Sequence, residues 1–562
     1  MKFKTKVASA AVAAALGMMA GSAQAVFMST SGVGQVLIYP YYTVQNGYDT
    51  YISVTNSTDR AKGVKVRFIE GKASKEVLDF NLYLSKYDVW TGVVISLGDG
   101  AALRTKDTSC TAPQITTDIP FRNGFYIGTN GDSYENAISR TREGYVEIIE
   151  MGVPNDTIQA NKNNPVKSLT FEQSVTHDQT TGKPVDCAWV SEEWVRSGSS
   201  GVFYSNGTDV TNRGPVNLMD PPTGGLFGSA SLINVNQGTD YTYDPTVLDS
   251  FSRVQMHSVP GNTLPTLGNA YPESTVIVTG YLNTALGVSA LISSTTSGPV
   301  VQIPITEGWG PAFTPAGATA YTGAGAQTNA VNAVLIRGNV MNEYALDTEI
   351  NAGTDWVVTF PTKRLNLSAD DIGRAYAPWL KHNRDLTTIP WYTDETFKAD
   401  GTFDEKNWKA CEAITLQSFN REEKTPGAID FSPSLVDGTK LCKEVNVITF
   451  KNSKVLGSKN LELNIDNVYT NGWINMGLWN GTAAPDHALP TYTGATDPLV
   501  RRNGYAYIGL PVTGFAVQKY VNGNIGGVLS NYGGSFIHKY KTVMGTTTSV
   551  DNVNNKFTVS YP

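Results

Sequence analysis

The chain has 562 residues, a formal net charge of -7, 17% charged and 10% aromatic residues, and four cysteines. An acidic balance argues against nucleic acid as a partner, because phosphate backbones are gripped by basic patches. The charged fraction falls below the roughly 25% of ordinary globular proteins, which suits a neutral-polar β-protein outside the cytoplasm, and the length sets a prior of about two or three domains.

The first residues carry Lys2, Lys4 and Lys6, then the apolar run Val7 to Ala20, then Ala23-Gln24-Ala25. This is the pattern of a secretory leader, with cleavage expected after Ala25. No later stretch supplies the roughly 20 apolar residues of a spanning helix, and no Cys follows the cleavage point to carry a lipid. Export is therefore the expectation, with the cell surface, the medium or the periplasm as destination.

From Tyr51 the apolar residues alternate: Ile52 and Val54; Val64, Val66 and Phe68 between Lys65 and Arg67; Leu78, Phe80, Leu82 and Leu84. A period of two buries one face of a strand and wets the other. Gln45-Asn46-Gly47, Asn56 to Asp59 and Gly71-Lys72-Ala73 separate the runs as turns, and this spacing predicts a sandwich. Val89 to Ile95, with Trp90, reads as a strand buried on both faces. Pro40 inside the run Gln35 to Tyr42 cannot donate to a ladder, which places that run on a sheet edge. Residues 26–140 are thus expected to form an immunoglobulin-like β-sandwich, and residues 141–562 a second β-rich domain with long Gly/Pro-rich loops such as Gly308 to Gly325. Strands recur at Tyr145 to Ile149, Ser229 to Val235, Val276 to Thr279, Trp356 to Phe360, Val445 to Phe450, Leu461 to Ile465, Trp473 to Leu478 and Tyr505 to Leu510. Helix is scarce: Ser368-x-x-Asp371 has capping-box spacing, and helical and strand periods compete over Ala330 to Tyr344.

Cys110, Cys187, Cys411 and Cys442 form no C-x-x-C pair, so two disulfides are expected, with proximity favouring Cys110–Cys187 and Cys411–Cys442. His177, His257, His382, His487 and His538 show no metal-ligand spacing, and no nucleophile elbow or phosphate-binding loop occurs. Glu143 and Glu147 could share a strand face with Glu150 near its end, the minimum a glycosidase would need. Asp240, Asp244 and Asp249 lie in a Gly/Thr/Tyr loop that could hold calcium through oxygen ligands; no other cofactor is indicated. Grouped tyrosines, Tyr39, Tyr41, Tyr42, Tyr241, Tyr243, Tyr505 and Tyr507, fit core packing better than a sugar-stacking platform.

The segments Gly34-Gln35-Val36-Leu37-Ile38-Tyr39-Pro40-Tyr41-Tyr42, Asp355-Trp356-Val357-Val358-Thr359-Phe360-Pro361-Thr362-Lys363-Arg364 and Gly509-Leu510-Pro511-Val512-Thr513-Gly514-Phe515 resemble an uncharacterised family of exported proteins from Gram-negative bacteria. The resemblance implies a secreted all-β protein and brings no catalytic residue. The expected function is a non-enzymatic secreted or cell-surface structural or interaction protein, whose partners would be a surface protein, a polysaccharide or further copies of itself. A glycan-binding or glycan-cleaving protein is the alternative, and an outer-membrane β-barrel a more distant one.

Overall fold

A computed structural model describes residues 26–127, 135–155, 169–195, 219–253, 255–270, 331–368, 374–375, 412–421, 430–432, 440–458, 461–464, 470–479, 481, 488–490, 504–525, 528–551 and 556–560. The leader, the loops at 198–201 and 308–325, and the strand expected at 276–279 lie outside them. The described residues are all-β, with a few short helices.

The first half supplies β1 (Phe27–Met28), β2 (Val36–Thr43), β3 (Asp49–Asn56), β4 (Lys62–Glu70), β5 (Glu76–Leu84), β6 (Val89–Leu97), β7 (Gly100–Arg104), β8 (Cys110–Ala112), β9 (Ile119–Pro120), β10 (Glu143–Pro154), β11 (Met219–Asp220), β12 (Leu226–Phe227), β13 (Ala230–Asn234), β14 (Thr239–Tyr243) and β15 (Thr246–Asp249). One sheet runs β1-β15-β2-β10-β4-β5-β8, with β11 on β10. The other runs β14-β13-β3-β6-β7-β9, with β12 on β3. The sheets therefore do not part at Arg140: β10 lies between β2 and β4, and β13 to β15 return from residues 230–249 to close both sheets.

Pro40 is not on an edge, because β2 lies between β15 and β10. The β15 ladder reaches only Ile38, and the β10 ladder slips between Gly144 and Val146, so the missing N–H falls in a bulge where neither neighbour requires it. Gly144 is needed at that bulge, since a Cβ would run into the Ile69 carbonyl oxygen.

The faces differ from the simple alternation. β6 buries Trp90 and Val94 but exposes Val89 and Thr91, so it has one wet face rather than none. β4 is buried on both faces, Lys65 and Arg67 included. Val64, Val66 and Phe68 join the sandwich core. The opposite face of the first sheet is covered in part by later chain, which packs Met256, Leu267 and Val334 on Val36, Ile38 and Ile149. At its other end Phe171, Trp189 and Trp194 cover Tyr83; they belong to α1 (Phe171–Val175) and α2 (Cys187–Val195). A disulfide joins Cys187 at the head of α2 to Cys110 in β8. Cys442 is also disulfide-bonded; Cys411 lies outside the described residues.

In the second half, a six-stranded sheet runs Asp430–Ser432, Leu461–Asn464, Val445–Phe450, Gly353–Thr359, Thr513–Ile525, Val528–Ile537. Its Trp356, Val358, Ile448 and Phe450 face a four-stranded sheet, ordered Thr415–Asn420, Asn471–Gly477, Asn339–Ala345, Lys539–Lys541, which contributes Val340, Ile474 and Met476 to the shared core. Ala330 to Tyr344 divides into a short helical stretch at 331–335 and then a strand. Leu367–Ser368 pairs with Arg374–Ala375 as an antiparallel ribbon; Asp371 and most of the helix expected from Ser368 lie outside the described residues.

The two halves share one core, because Val357, Val447, Phe515 and Val517 pack among the tyrosines of β2, β3's approach and β14. Tyr243 stacks on Phe515 at 4.4 Å. Tyr48 donates its hydroxyl to the Val455 carbonyl at 3.0 Å, and Thr359 donates to the Pro40 carbonyl at 2.6 Å. The backbone joins as well, with Val445 N donating to Gly71 O at 2.8 Å. Next to it Glu444 is fully buried, and burial pushes its carboxyl up to about 8 against the pull of Lys363.

Two outcomes are expected. Cys110 and Cys187 are 77 residues apart, so replacing both by Ala should lower the urea stability of the first half by about 4 kcal/mol, the loop-closure term, as read by near-ultraviolet circular dichroism. Glu444 binds its proton more tightly folded than unfolded, so its contribution is complete below the ordinary value of 4.5 and is lost as pH rises through about 8. Glu444→Gln should therefore flatten the fall in melting temperature over that window and exceed the parent above it.

Candidate functional site

The acids that could have formed a hydrolytic pair are engaged elsewhere. Arg67 on β4 donates Nη1 to Glu147 at 2.5 Å and Nε to Glu76 at 2.7 Å. Burial raises both carboxyls and Arg67 opposes the rise; burial would lower Arg67, but Glu147 and Glu76 hold it above its usual value. Glu150 accepts from Lys62 Nζ at 2.8 Å and from the amides of Thr223 and Gly224 at 3.0 and 2.8 Å, which ties the loop before β12 to the sheet. Glu143 accepts the Tyr41 hydroxyl at 3.2 Å. Each acid thus has a packing or loop-holding partner.

The calcium candidates are not brought together. Asp240 lies in β14, opposite Ile233 in the second sheet, whereas Asp249 lies in β15, opposite Phe27 in the first. Asp244 falls between the two strands. Among the described residues no three His, Cys, Asp or Glu side chains converge as a metal group. His257 Nε2 lies 2.9 Å from the Tyr83 hydroxyl, which also accepts from Trp194 Nε1 at 2.6 Å. Burial, then Lys65, lowers His257 to about 3. His538 Nε2 donates to the Val357 carbonyl at 3.0 Å, and burial lowers it to about 4. His177 has its Nδ1 3.7 Å from Asp88; His382 and His487 are outside the described residues. Tyr39, Tyr41, Tyr42, Tyr241, Tyr243 and Tyr507 are buried, as core packing requires; nothing is described of the Tyr505 side chain.

One group of exposed aromatic residues lies where the six-stranded sheet meets the sheet of Asn471–Gly477. On the outer face of the four-stranded sheet, Phe419, Trp473 and Glu343 stand in one cross-strand row. The Phe419 and Trp473 rings stack at 4.7 Å, tilted by 22°. Lys539–Lys541 covers the flank of the adjacent strand only from Asn339 to Met341. Beyond it the chain of the six-stranded sheet comes alongside: Asn342 Nδ2 donates to the Phe536 carbonyl at 3.0 Å. Tyr520 and Tyr532 form the neighbouring cross-strand pair. Burial raises the Tyr520 hydroxyl, and the Glu343 carboxylate adds to the rise, which places that charge at the patch. Trp473 is 39%, Phe536 45% and Tyr532 59% exposed, and Glu343, opposite Trp473, is exposed too, so ring faces and a carboxylate both reach solvent here.

None of these residues was singled out from sequence as a site. The available signal was phase: Ile474 and Met476 take the core side of their strand, so Trp473 falls on the wet side. Comparison with known protein families, curated proteins and solved structures found no match.

The Arg67 arrangement generates a direct test. Arg67→Met should leave two buried carboxylates without their cation and destabilise the chain by about 3–5 kcal/mol at neutral pH. Adding Glu147→Gln and Glu76→Gln to Arg67→Met should recover most of that loss, as measured by urea unfolding.

Proposed function

We propose that this chain is an exported, non-enzymatic protein that acts by binding a partner at the exposed aromatic patch around Glu343. The observation that carries the reading is the exposure of Trp473, Tyr532 and Phe536 on two sheets that the Asn342–Phe536 hydrogen bond joins, since exposed aromatic surface marks interaction sites. The engagement of Glu147 and Glu150 in ion pairs supports a non-catalytic role. The basic-apolar leader pattern and the Cys110–Cys187 bond support residence in an oxidising space.

A second reading, glycan binding, is favoured by Trp473, because an indole with one wet side can stack on a sugar ring. Self-assembly by donation of the Gln35 to Tyr42 run has less support, as that run is an interior strand of its own sheet.

Fractionation of producing cells, with thiol labelling of the recovered chain, tests the proposal. Recovery outside the cytoplasm with all cysteines oxidised, and no hydrolysis of a panel of polysaccharides, is the expected result. A cytoplasmic chain with reduced thiols, or turnover of any polysaccharide, would overturn it.

A further inference from the structure

We infer that the patch around Glu343 recognises a cationic side chain, an arginine above all, on a basic segment of a protein partner. The inference rests on the binding role proposed above and adds the chemistry of what is bound.

Glu343 is exposed and makes no ion pair among the described residues, although ion pairing is the rule for the buried acids of the first half. Among the described residues of its own sheet, Lys539 stands opposite Met341, one row from Glu343, and the two form no ion pair. The carboxylate instead stands beside Trp473 across the strand pair and exerts its field on Tyr520. One side of the Trp473 ring is taken by Phe419, while the next strand on its other side carries Glu343.

A carboxylate and aromatic faces attract the same kind of group. The π-face draws a cation through its quadrupole, and the carboxylate draws it by charge. A guanidinium meets both needs, since it lies flat on a ring and forks toward a carboxylate in the same plane. A neutral sugar would stack on the rings but would leave the Glu343 charge uncompensated. The net charge of -7 adds long-range attraction for a basic segment. Tyr532 and Phe536 then offer apolar surface to the residues that flank the arginine.

The test titrates the full chain with a fluorescent oligo-arginine peptide, its citrulline counterpart and a panel of soluble polysaccharides. Citrulline keeps the shape of arginine and removes the charge. The expected result is saturable binding of the arginine peptide that weakens with salt, with the citrulline peptide binding at least about fivefold less tightly. Glu343→Gln and Trp473→Ala should each weaken the arginine peptide by about fivefold, with unchanged melting temperatures; Tyr87→Ala, exposed elsewhere, should have no effect. Because Glu343 is a surface residue, its variant remains informative even if Trp473→Ala proves unstable. Equal binding of the two peptides, absence of binding, or an unaffected Glu343→Gln variant would refute the inference. Polysaccharide binding that depends on Trp473, without arginine binding, would replace it with the glycan reading. These failures leave the export test untouched, whereas a reduced cytoplasmic chain sinks the reading beneath the inference.

Discussion

A sheet covered on both faces has no wet side for its polar residues, and that constraint shapes the first half of this protein. β4 carries Lys65 and Arg67 on the face opposite its Val64, Val66 and Phe68, and chain from beyond residue 250 closes over part of that face. A charge enclosed in this way is tolerable only when paired and hydrogen-bonded. Lys65 reaches Asp79 at 2.8 Å, while Asp79 also accepts the Gly261 amide at 3.0 Å. Lys62 and Glu150 do the same for the loop at Thr223. The ion pairs therefore fix where later loops lie on the sheet, and register errors of one residue would strand a charge against apolar surface.

The joint between the halves obeys the same logic with tyrosine in place of charge. Leucines could fill the volume, but the joint contains strand ends, bulges and loop carbonyls that need donors. Tyr39 gives its hydroxyl to the Ser53 carbonyl at 2.5 Å, Tyr42 to Thr141 at 3.2 Å and Tyr48 to Val455 at 3.0 Å, while Tyr243 reaches the Tyr41 carbonyl. On the second-half side Asp355 accepts from Thr449, Ser453 and the Leu456 amide, which holds the turn that Tyr48 meets. Burial still raises Asp355 to about 6, so this joint contains two acids, Asp355 and Glu444, displaced by enclosure.

What was legible in the sequence followed from local period. Ile52 and Val54 on β3, Trp356 to Thr359 and Trp473 to Gly477 sit in strands because an alternating or continuous apolar run is a property of neighbouring residues. What covers a face is not local. Lys65 and Arg67 look solvent-facing until residues far along the chain arrive, and Pro40 looks like an edge marker until β15 returns from residue 246 and stops at Ile38. The closing strands β13 to β15 lie about a hundred residues beyond the last strand of the expected sandwich, so no reading of residues 26–140 could reach them. The Cys110–Cys187 pairing was legible because it needed only proximity.

The same layering decides which surfaces stay exposed. Inner strands such as Gly353–Thr359 use both faces for packing, so their side chains are unavailable to a partner. The edges of β14 and of Val528–Ile537 cover each other, with Asn531 donating to the Gln237 carbonyl at 2.6 Å and Ser535 to the Thr242 carbonyl, which limits growth by strand addition there. The four-stranded sheet is different: its inner face completes a core, and its outer face keeps Phe419, Trp473 and Glu343 in a row. Leaving large rings half wet forgoes on the order of 1 kcal/mol apiece in burial.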